Sequence, residues 1–139
     1  MISNCVRETE KIAREYAASV KAGTVVFFRG DLGAGKTAFV RGLADGLGIP
    51  AESVSSPTYT FVKEYEGGKF PLAHFDMYRV SSEDDLYSIG FFDYLDGKTV
   101  LAIEWSENIE DIVDIPHVTV NIEKDGQDKR IITITDNID

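Results

Sequence analysis

Residues 30–37 read GDLGAGKT and fit the pattern G-x-x-x-x-G-K-[ST], in which a glycine-rich turn cradles phosphate groups with its backbone N–H groups. The flanking residues supply the context that such a turn needs. The apolar, β-branched and aromatic run 24–28 predicts a buried strand before it. Residues 38–47 predict an amphipathic helix after it, because their apolar side chains recur at helical spacing. This strand–turn–helix unit constrains the fold more than any other stretch of the chain.

The motif also assigns roles to individual side chains. Lys36 is expected to reach the β- and γ-phosphates of a nucleotide, and the Thr37 hydroxyl is expected to ligate Mg²⁺. The helix N-terminus would add about half a positive charge to the same place. The predicted phosphate-binding residues are Asp31, Leu32, Gly33, Ala34, Gly35, Lys36, Thr37 and Ala38.

Length and charge limit the other possibilities. The 139 residues suit one domain spanning 1–139. A net charge of −10 makes the chain a poor nucleic-acid binder on its own, so we expect no DNA contact and any other nucleic acid to be held by other subunits. No apolar run approaches the roughly 20 residues of a membrane span. With a single cysteine, Cys5, and no signal-peptide pattern at the N-terminus, the sequence favours a cytoplasmic protein without membrane contact.

Hydrophobic periodicity predicts an α/β fold, a P-loop NTPase-like mixed β-sheet flanked by helices in a single small domain. Two hairpins are expected to accompany the parallel strands, the first at Gly67 and Gly68 and the second around 125–126. Further helices are predicted at 8–22 and 107–113, together with a capped helix that starts at 81–85 and ends before Gly90 and a short helical piece at 91–95. The remaining predicted strands are 59–65, 72–76, 99–103, 117–122 and 130–135.

A P-loop site needs a second carboxylate for Mg²⁺ and a group that positions the attacking water. Asp76 and Glu104 each end an apolar strand, where such groups belong. Their spacing alone leaves open which of them binds metal and which positions water. Thr58 follows a proline in a loop, where it could sense the γ-phosphate as a switch residue or serve as an ordinary turn residue.

Two further residues have competing interpretations. His74 and Asp76 share one side of a strand, but a transition-metal site is disfavoured because no third His or Cys lies nearby in the sequence. Trp105, next to Glu104, is either a core residue or part of a binding surface.

Four blocks then appear in order: GDLGAGKT at 30–37, SPTY at 56–59, HFDMYR at 74–79 and IEWS at 103–106. Together they resemble the bacterial TsaE (YjeE) family, small P-loop ATPases needed for threonylcarbamoyladenosine formation on tRNA. The resemblance covers nearly the whole chain. It implies binding of ATP or ADP with Mg²⁺, and it implies that TsaD- and TsaB-type proteins are the partners.

The resemblance also implies residue roles. Lys36 and Thr37 would hold phosphate and Mg²⁺, Glu104 would belong to the metal site, and Asp76 would be an essential acid beside it. Thr58 would lie in a switch-like loop. Two more positions complete the implied site: Arg130 near the nucleotide, and Thr9, with its neighbour Glu8, on the adenine side. ATP hydrolysis would reset the TsaD–TsaB complex that modifies adenosine 37 of tRNA, and tRNA would be reached only through that complex.

Other functions fit the motif less well. A small-molecule kinase usually needs a lid and several arginines, yet Arg79 is the only arginine between Gly42 and Lys129. A GTPase is disfavoured because the guanine-reading N-K-x-D or T-K-x-D motif is absent. A non-catalytic ATP-dependent interaction module stays open, since a P-loop alone does not establish turnover.

Overall fold

The computed structural model describes residues 1–30, 35–55, 57 and 60–137. Within these ranges three α-helices and seven strands form around one sheet. The helices are α1 Val6–Tyr16, α2 Lys36–Gly46 and α3 Glu83–Ser88. The strands are β1 Ile2–Ser3, β2 Val25–Arg29, β3 Val62–Tyr65, β4 Leu72–Asp76, β5 Val100–Glu104, β6 His117–Lys124 and β7 Arg130–Asn137.

The strand order in the sheet is β1-β7-β6-β2-β5-β4-β3. The four central strands β6, β2, β5 and β4 run parallel. Hairpins β3–β4 and β6–β7 add antiparallel strands on either side, and β1 pairs antiparallel with β7. The prediction of a single small domain with a mixed sheet flanked by helices is confirmed.

Each face of the sheet has its own apolar layer. Alternate residues of β2 divide between them: Val26 and Phe28 pack toward α1 and α2, whereas Val25 and Phe27 pack toward α3 and the turns near it. Because both faces are covered, β2, β4 and β5 are buried along nearly their whole length. This explains their almost continuous apolar sequences.

Parallel pairing sets where a site can form. The carboxyl ends of β4, β5 and β2 meet at one edge of the sheet, and Asp76 is the register partner of Glu104 there. Lys36 is the first residue of α2, the helix that follows β2 in the chain, and its ammonium group lies over the ring of Trp105, the residue after β5. Ligand sites in sheets of this kind lie outside the carboxyl ends of the strands.

Two predicted helices differ from the structure. The helix predicted at 8–22 ends at Tyr16 and tightens into the 3₁₀ turn Ala17–Ser19. The prediction of a helix at 107–113 is wrong, because only the 3₁₀ turn Ser106–Asn108 and a few further turns form there. A run this short before Pro116 gains too few hydrogen bonds to offset helix nucleation.

The described helices are too short for a bilayer. The longest of them, α1 and α2, have 11 residues each, and none of the described helices is long and apolar enough to cross a membrane.

Helices α1 and α2 approach closely at glycines of α2. A Cβ placed at Gly42 would lie 2.1 Å from the Glu10 carbonyl oxygen and 2.8 Å from the Ala13 Cβ. At Gly46 it would lie 2.5 Å from the Ala17 Cβ. The glycines therefore let α1 pack directly onto the helix that begins at Lys36.

We expect Gly42→Ala to destabilise the protein, although alanine normally favours a helix interior. The added methyl group would be forced against backbone, and such overpacking costs about 1–3 kcal/mol. Chemical denaturation measures the change in the free energy of unfolding. Glu15→Ala, at an exposed position of α1, is the control and should change it by less than about 0.5 kcal/mol. An unchanged free energy in Gly42→Ala would mean that the helices do not approach this closely.

Candidate functional site

Lys36 lies at the centre of the carboxyl edge. Gly35 precedes it with φ +110°, a left-handed conformation that a side chain would strain. The Lys36 side chain is buried, donates from Nζ to the Gly30 carbonyl oxygen at 3.1 Å, and lies 4.4 Å from the centre of the Trp105 ring. An ammonium group is thus held at the helix N-terminus, where an anion is favoured.

Asp76 and Glu104 lie side by side at the ends of β4 and β5. Both are buried, with 7% of their surface exposed. The Asp76 carboxylate accepts the Tyr78 backbone N–H at 2.9 Å, and Glu104 Oε2 contacts His74 Nε2. The structure thus brings together the two acids predicted from the sequence.

His74 is a site residue that the sequence analysis weighed only as a metal ligand. It is fully buried in β4, two residues before Asp76, and its side chain contacts Glu104. A signal was available in the sequence. A polar residue inside a strand that is otherwise apolar on both faces must find a partner, because burying an unpaired polar group is costly.

Side chains from the 3₁₀ turn after β5 tie the strand ends together. Ser106 donates to the Phe28 carbonyl oxygen of β2 at 3.3 Å. Asn108 donates to the Met77 carbonyl oxygen at 2.8 Å and to that of Tyr78 at 3.2 Å, just beyond β4. The three strands that carry the site are therefore linked beyond their backbone pairing.

Trp105 is neither simple core nor simple surface. Its backbone takes φ +59°, which is uncommon for a bulky residue and turns the chain sharply after Glu104. The indole is half-buried, and one exposed residue, Tyr78, packs on it with ring centres 4.9 Å apart. The indole thus lies between the Lys36 ammonium and an exposed aromatic ring.

Two arginines near the carboxyl edge already contact other side chains. Arg29 forms an ion pair with Glu110, and the hydrogen bond to that carboxylate is the main cause that raises the pKa of Arg29 above its ordinary value. The Arg79 guanidinium lies 5.0 Å from the Phe61 ring centre. Neither arginine is a ready partner for phosphate in this arrangement.

A cavity of about 400 Å³ lies beside the start of α2. Its lining includes Gly35, Ala38, Thr9 and Arg130, so four residues predicted to bind nucleotide share one cavity. The Thr9 hydroxyl is 2.7 Å from the Ser3 hydroxyl, which donates to the Cys5 carbonyl oxygen. Thr9 therefore also ties β1 to α1.

Arg130 and Glu8 are held by the backbone near this cavity. Arg130 donates to the carbonyl oxygens of Gln127 and Lys129 at 3.1 and 2.9 Å. The Glu8 carboxylate accepts a hydrogen bond from the Asn4 backbone N–H at 2.6 Å, so it contacts the backbone two residues before the start of α1. The Glu8 side chain therefore bonds to the backbone before α1, whereas its neighbour Thr9 lines the cavity.

Several predicted residues lie outside the described part of the chain. They are Asp31, Leu32, Gly33 and Ala34 of the glycine-rich turn and Thr58 of the loop before β3. Phe61, which is described, follows Thr58 by three residues. Its backbone takes φ +65°, and its carbonyl oxygen accepts the Asp76 backbone N–H at 2.8 Å, which joins Phe61 to the end of β4.

A second cavity, of about 490 Å³, opens at the amino ends of β4 and β5. Four carboxylate residues line it: Glu64, Glu66, Asp93 and Asp96. Burial is the main cause that raises the pKa of Tyr94 in this wall to about 12, helped by its hydrogen bond to Glu64. Like charges would repel a phosphate here, so the carboxyl edge is the better anion site.

The donors at the carboxyl edge suit magnesium better than a transition metal. No group of three or more His, Cys, Asp and Glu residues that could hold a metal occurs among the described residues. Asp76 and Glu104 supply carboxylate oxygens, and Thr37, the second residue of α2, carries a hydroxyl. Mg²⁺ is commonly bound by one or two carboxylates, with phosphates and water completing its shell.

Comparisons with known proteins agree with this architecture. The crystal structure of YdiB from Bacillus subtilis superimposes with a TM-score of 0.76 and 35% sequence identity, over 99% of this chain and 84% of that one. Fold and edge geometry together define a small P-loop domain.

Sequence comparison is more specific. The family model "Threonylcarbamoyl adenosine biosynthesis protein TsaE" matches residues 3–132. The tRNA threonylcarbamoyladenosine biosynthesis protein TsaE of Bacillus subtilis is 44% identical over 128 residues, which are 92% of this chain and 79% of that protein. Its counterpart in Rickettsia conorii is 37% identical over 134 residues, 96% of this chain and 76% of that protein. The chain belongs to the TsaE family, and the resemblance found in its four sequence blocks is confirmed.

Proposed function

We propose that this protein is a Mg²⁺-dependent ATPase that drives or resets a partner complex forming threonylcarbamoyladenosine on tRNA. The observation that carries the proposal is the convergence of Lys36, Asp76 and Glu104 at one edge of the sheet. A buried ammonium at a helix N-terminus beside two buried carboxylates suits a phosphate chain with its metal. The names of the TsaE relatives support the pathway.

Each residue would have a distinct task. Lys36 would exchange its contact with the Gly30 carbonyl oxygen for phosphate oxygens of ATP or ADP. Thr37, Glu104 and Asp76 would hold Mg²⁺, which neutralises charge on the phosphates. One of the two acids would orient the attacking water, a role that is supported by the pairing of Asp76 with Glu104 at the ends of neighbouring strands. The base would occupy the cavity lined by Thr9 and Arg130.

Partner dependence follows from what the described edge offers. Phosphoryl transfer is often accelerated by an arginine, and one supplied in trans is worth about 10³–10⁵ in rate. Here Arg29 is paired with Glu110, and Arg79 packs on Phe61. We propose TsaD- and TsaB-type proteins as the partners, in the cytoplasm, with tRNA held by the complex because this chain is strongly acidic.

A kinase is the weaker alternative. A kinase would need cationic side chains for a second substrate beside the phosphates, whereas the cavity of about 490 Å³ next to β4 is lined by four acids. A non-catalytic ATP-dependent interaction module uses the same binding residues, so measured turnover separates it from an ATPase.

Lys36→Ala should abolish ATP hydrolysis and weaken ATP binding, because the charge at the β- and γ-phosphates is lost. Phosphate release measures turnover. Calorimetry measures ATP binding to Lys36→Ala, and in the wild type the fluorescence of Trp105, the only tryptophan, should change on binding because Lys36 lies over its ring. Lys98→Ala, an exposed lysine at the opposite edge, should behave as wild type. Full turnover in Lys36→Ala, or indole emission that stays flat through saturating ATP, would contradict the site.

Glu104→Gln and Asp76→Asn should separate the two acids. The variant that loses a metal ligand should lose Mg²⁺-dependent ATP affinity. The variant that loses the water-positioning group should bind normally and turn over about 10²–10⁴-fold more slowly. Calorimetric binding and phosphate release measure the two effects, with Glu107→Gln, an exposed acid nearby, as control. Normal binding and turnover in both variants would remove both acids from the site.

Hydrolysis by the isolated chain should be slow and should rise when a purified TsaD–TsaB pair is added. If the partners act through the loop before β3, Thr58→Ala should lose that stimulation, whereas Thr60→Ala, the same change at an exposed neighbour, should keep it. Steady-state phosphate release measures both. Equal rates with and without partners would refute the coupling, and stimulation retained in Thr58→Ala would keep the partner and exclude the loop.

A further inference from the structure

His74 is a fully buried polar side chain next to the carboxyl edge. None of its surface is exposed, and every other residue of β4 is buried as well. Its Nε2 contacts Glu104 Oε2. Its Nδ1 has no hydrogen-bond partner among the residues that the structure describes. The ring therefore has one polar contact, and that contact is with a carboxylate of the proposed site.

The contact fixes which ring nitrogen carries the proton. A carboxylate oxygen accepts, so Nε2 must donate and the imidazole proton lies on Nε2. Nδ1 is then a bare lone pair. A proton on Nδ1 instead would leave a buried N–H without an acceptor and would set an unprotonated nitrogen against Glu104, which costs more.

Strand register explains how the ring reaches Glu104. On the parallel pair β4–β5, His74 lies opposite Ala102, and Asp76 lies opposite Glu104. These residues share one face of the sheet, the face covered by α2. Because Ala102 carries only a methyl group, the His74 ring has room beside β5 and contacts Glu104 from the buried side of the sheet.

We propose that His74 is a positioning residue for Glu104. By holding Oε2, it fixes the rotamer of the Glu104 carboxylate and leaves Oε1 for Mg²⁺ or water at the carboxyl edge. This refines the proposed ATPase function and rests on it for the role of Glu104. Groups that orient a ligating side chain in this way typically contribute about 10–100-fold to metal affinity or activity.

The first test needs no nucleotide. The chain has two histidines, and the oxygen atoms that their rings contact imply opposite tautomers. His117 Nδ1 lies 2.8 Å from the Ile115 carbonyl oxygen and therefore carries the proton, whereas in His74 the proton is on Nε2. Long-range ¹H–¹⁵N correlation at neutral pH distinguishes the two forms, and His117→Gln assigns the signals. A His74 ring protonated on Nδ1 would overturn the proposal.

The second test asks whether the contact matters for the site. His74→Gln keeps a donor near the position of Nε2, whereas His74→Leu fills similar space without one. In His74→Leu we expect the increase in ADP affinity that Mg²⁺ produces, or the turnover of Mg²⁺·ATP, to fall about 10–100-fold. In His74→Gln most of that loss should be recovered. Calorimetry without Mg²⁺ should give wild-type ADP affinity for both.

The outcomes separate positioning from packing. Thermal unfolding shows whether each variant is folded, and His117→Gln serves as the matched histidine control. If folded His74→Leu keeps the wild-type Mg²⁺ response and turnover, His74 is only a core residue and the proposal fails. If His74→Leu does not fold, the test rests on His74→Gln and on the ring spectrum of the wild type. Loss of the Mg²⁺ response in folded His74→Gln would overturn the proposal, and so would a His74 ring protonated on Nδ1. If wild type binds no ATP with Mg²⁺, the proposed function fails, while the ring spectrum still tests the contact between His74 and Glu104.

Discussion

The parallel pairing of β2, β5 and β4 is the constraint on which the rest of the structure depends. It places the ends of three strands at one edge, so that Glu104 and Asp76 become neighbours although 27 residues lie between them in the sequence. The same edge receives the N-terminus of α2 and with it the Lys36 ammonium. Parallel strands need crossover connections, and these connections supply the helices that bury both faces of the sheet.

Burying charge at this edge is costly unless each group has a partner. Lys36 contacts a carbonyl oxygen and an indole face, Asp76 accepts a backbone N–H, and Glu104 is held by His74. These contacts use only part of the capacity of each group. The edge is therefore ordered by its own residues while keeping donors and acceptors for the phosphate and metal that we propose, which is the preorganisation that a charged site needs.

Different structural elements hold the two halves of the proposed nucleotide site in place. The phosphate side rests on the sheet edge and the start of α2, which are fixed by strand pairing. The other side rests on the junction of β1, α1 and β7, where Thr9 and Arg130 line the same cavity. That junction depends on the close packing of α1 on α2 through Gly42 and Gly46. Helix packing away from the carboxyl edge thus shapes the cavity that we propose for the base.

The sequence by itself determined the strand–turn–helix unit, the two hairpins, strand β4 and the acids at the ends of β4 and β5. These follow from local periodicity, turn chemistry and a motif whose function needs fixed spacing. Only the tertiary structure decided which side chains meet. The contact of His74 with Glu104, the position of Lys36 over Trp105 and the shared cavity of Thr9 and Arg130 join residues that are far apart in the chain. Their proximity depends on strand order and register, which local patterns do not encode.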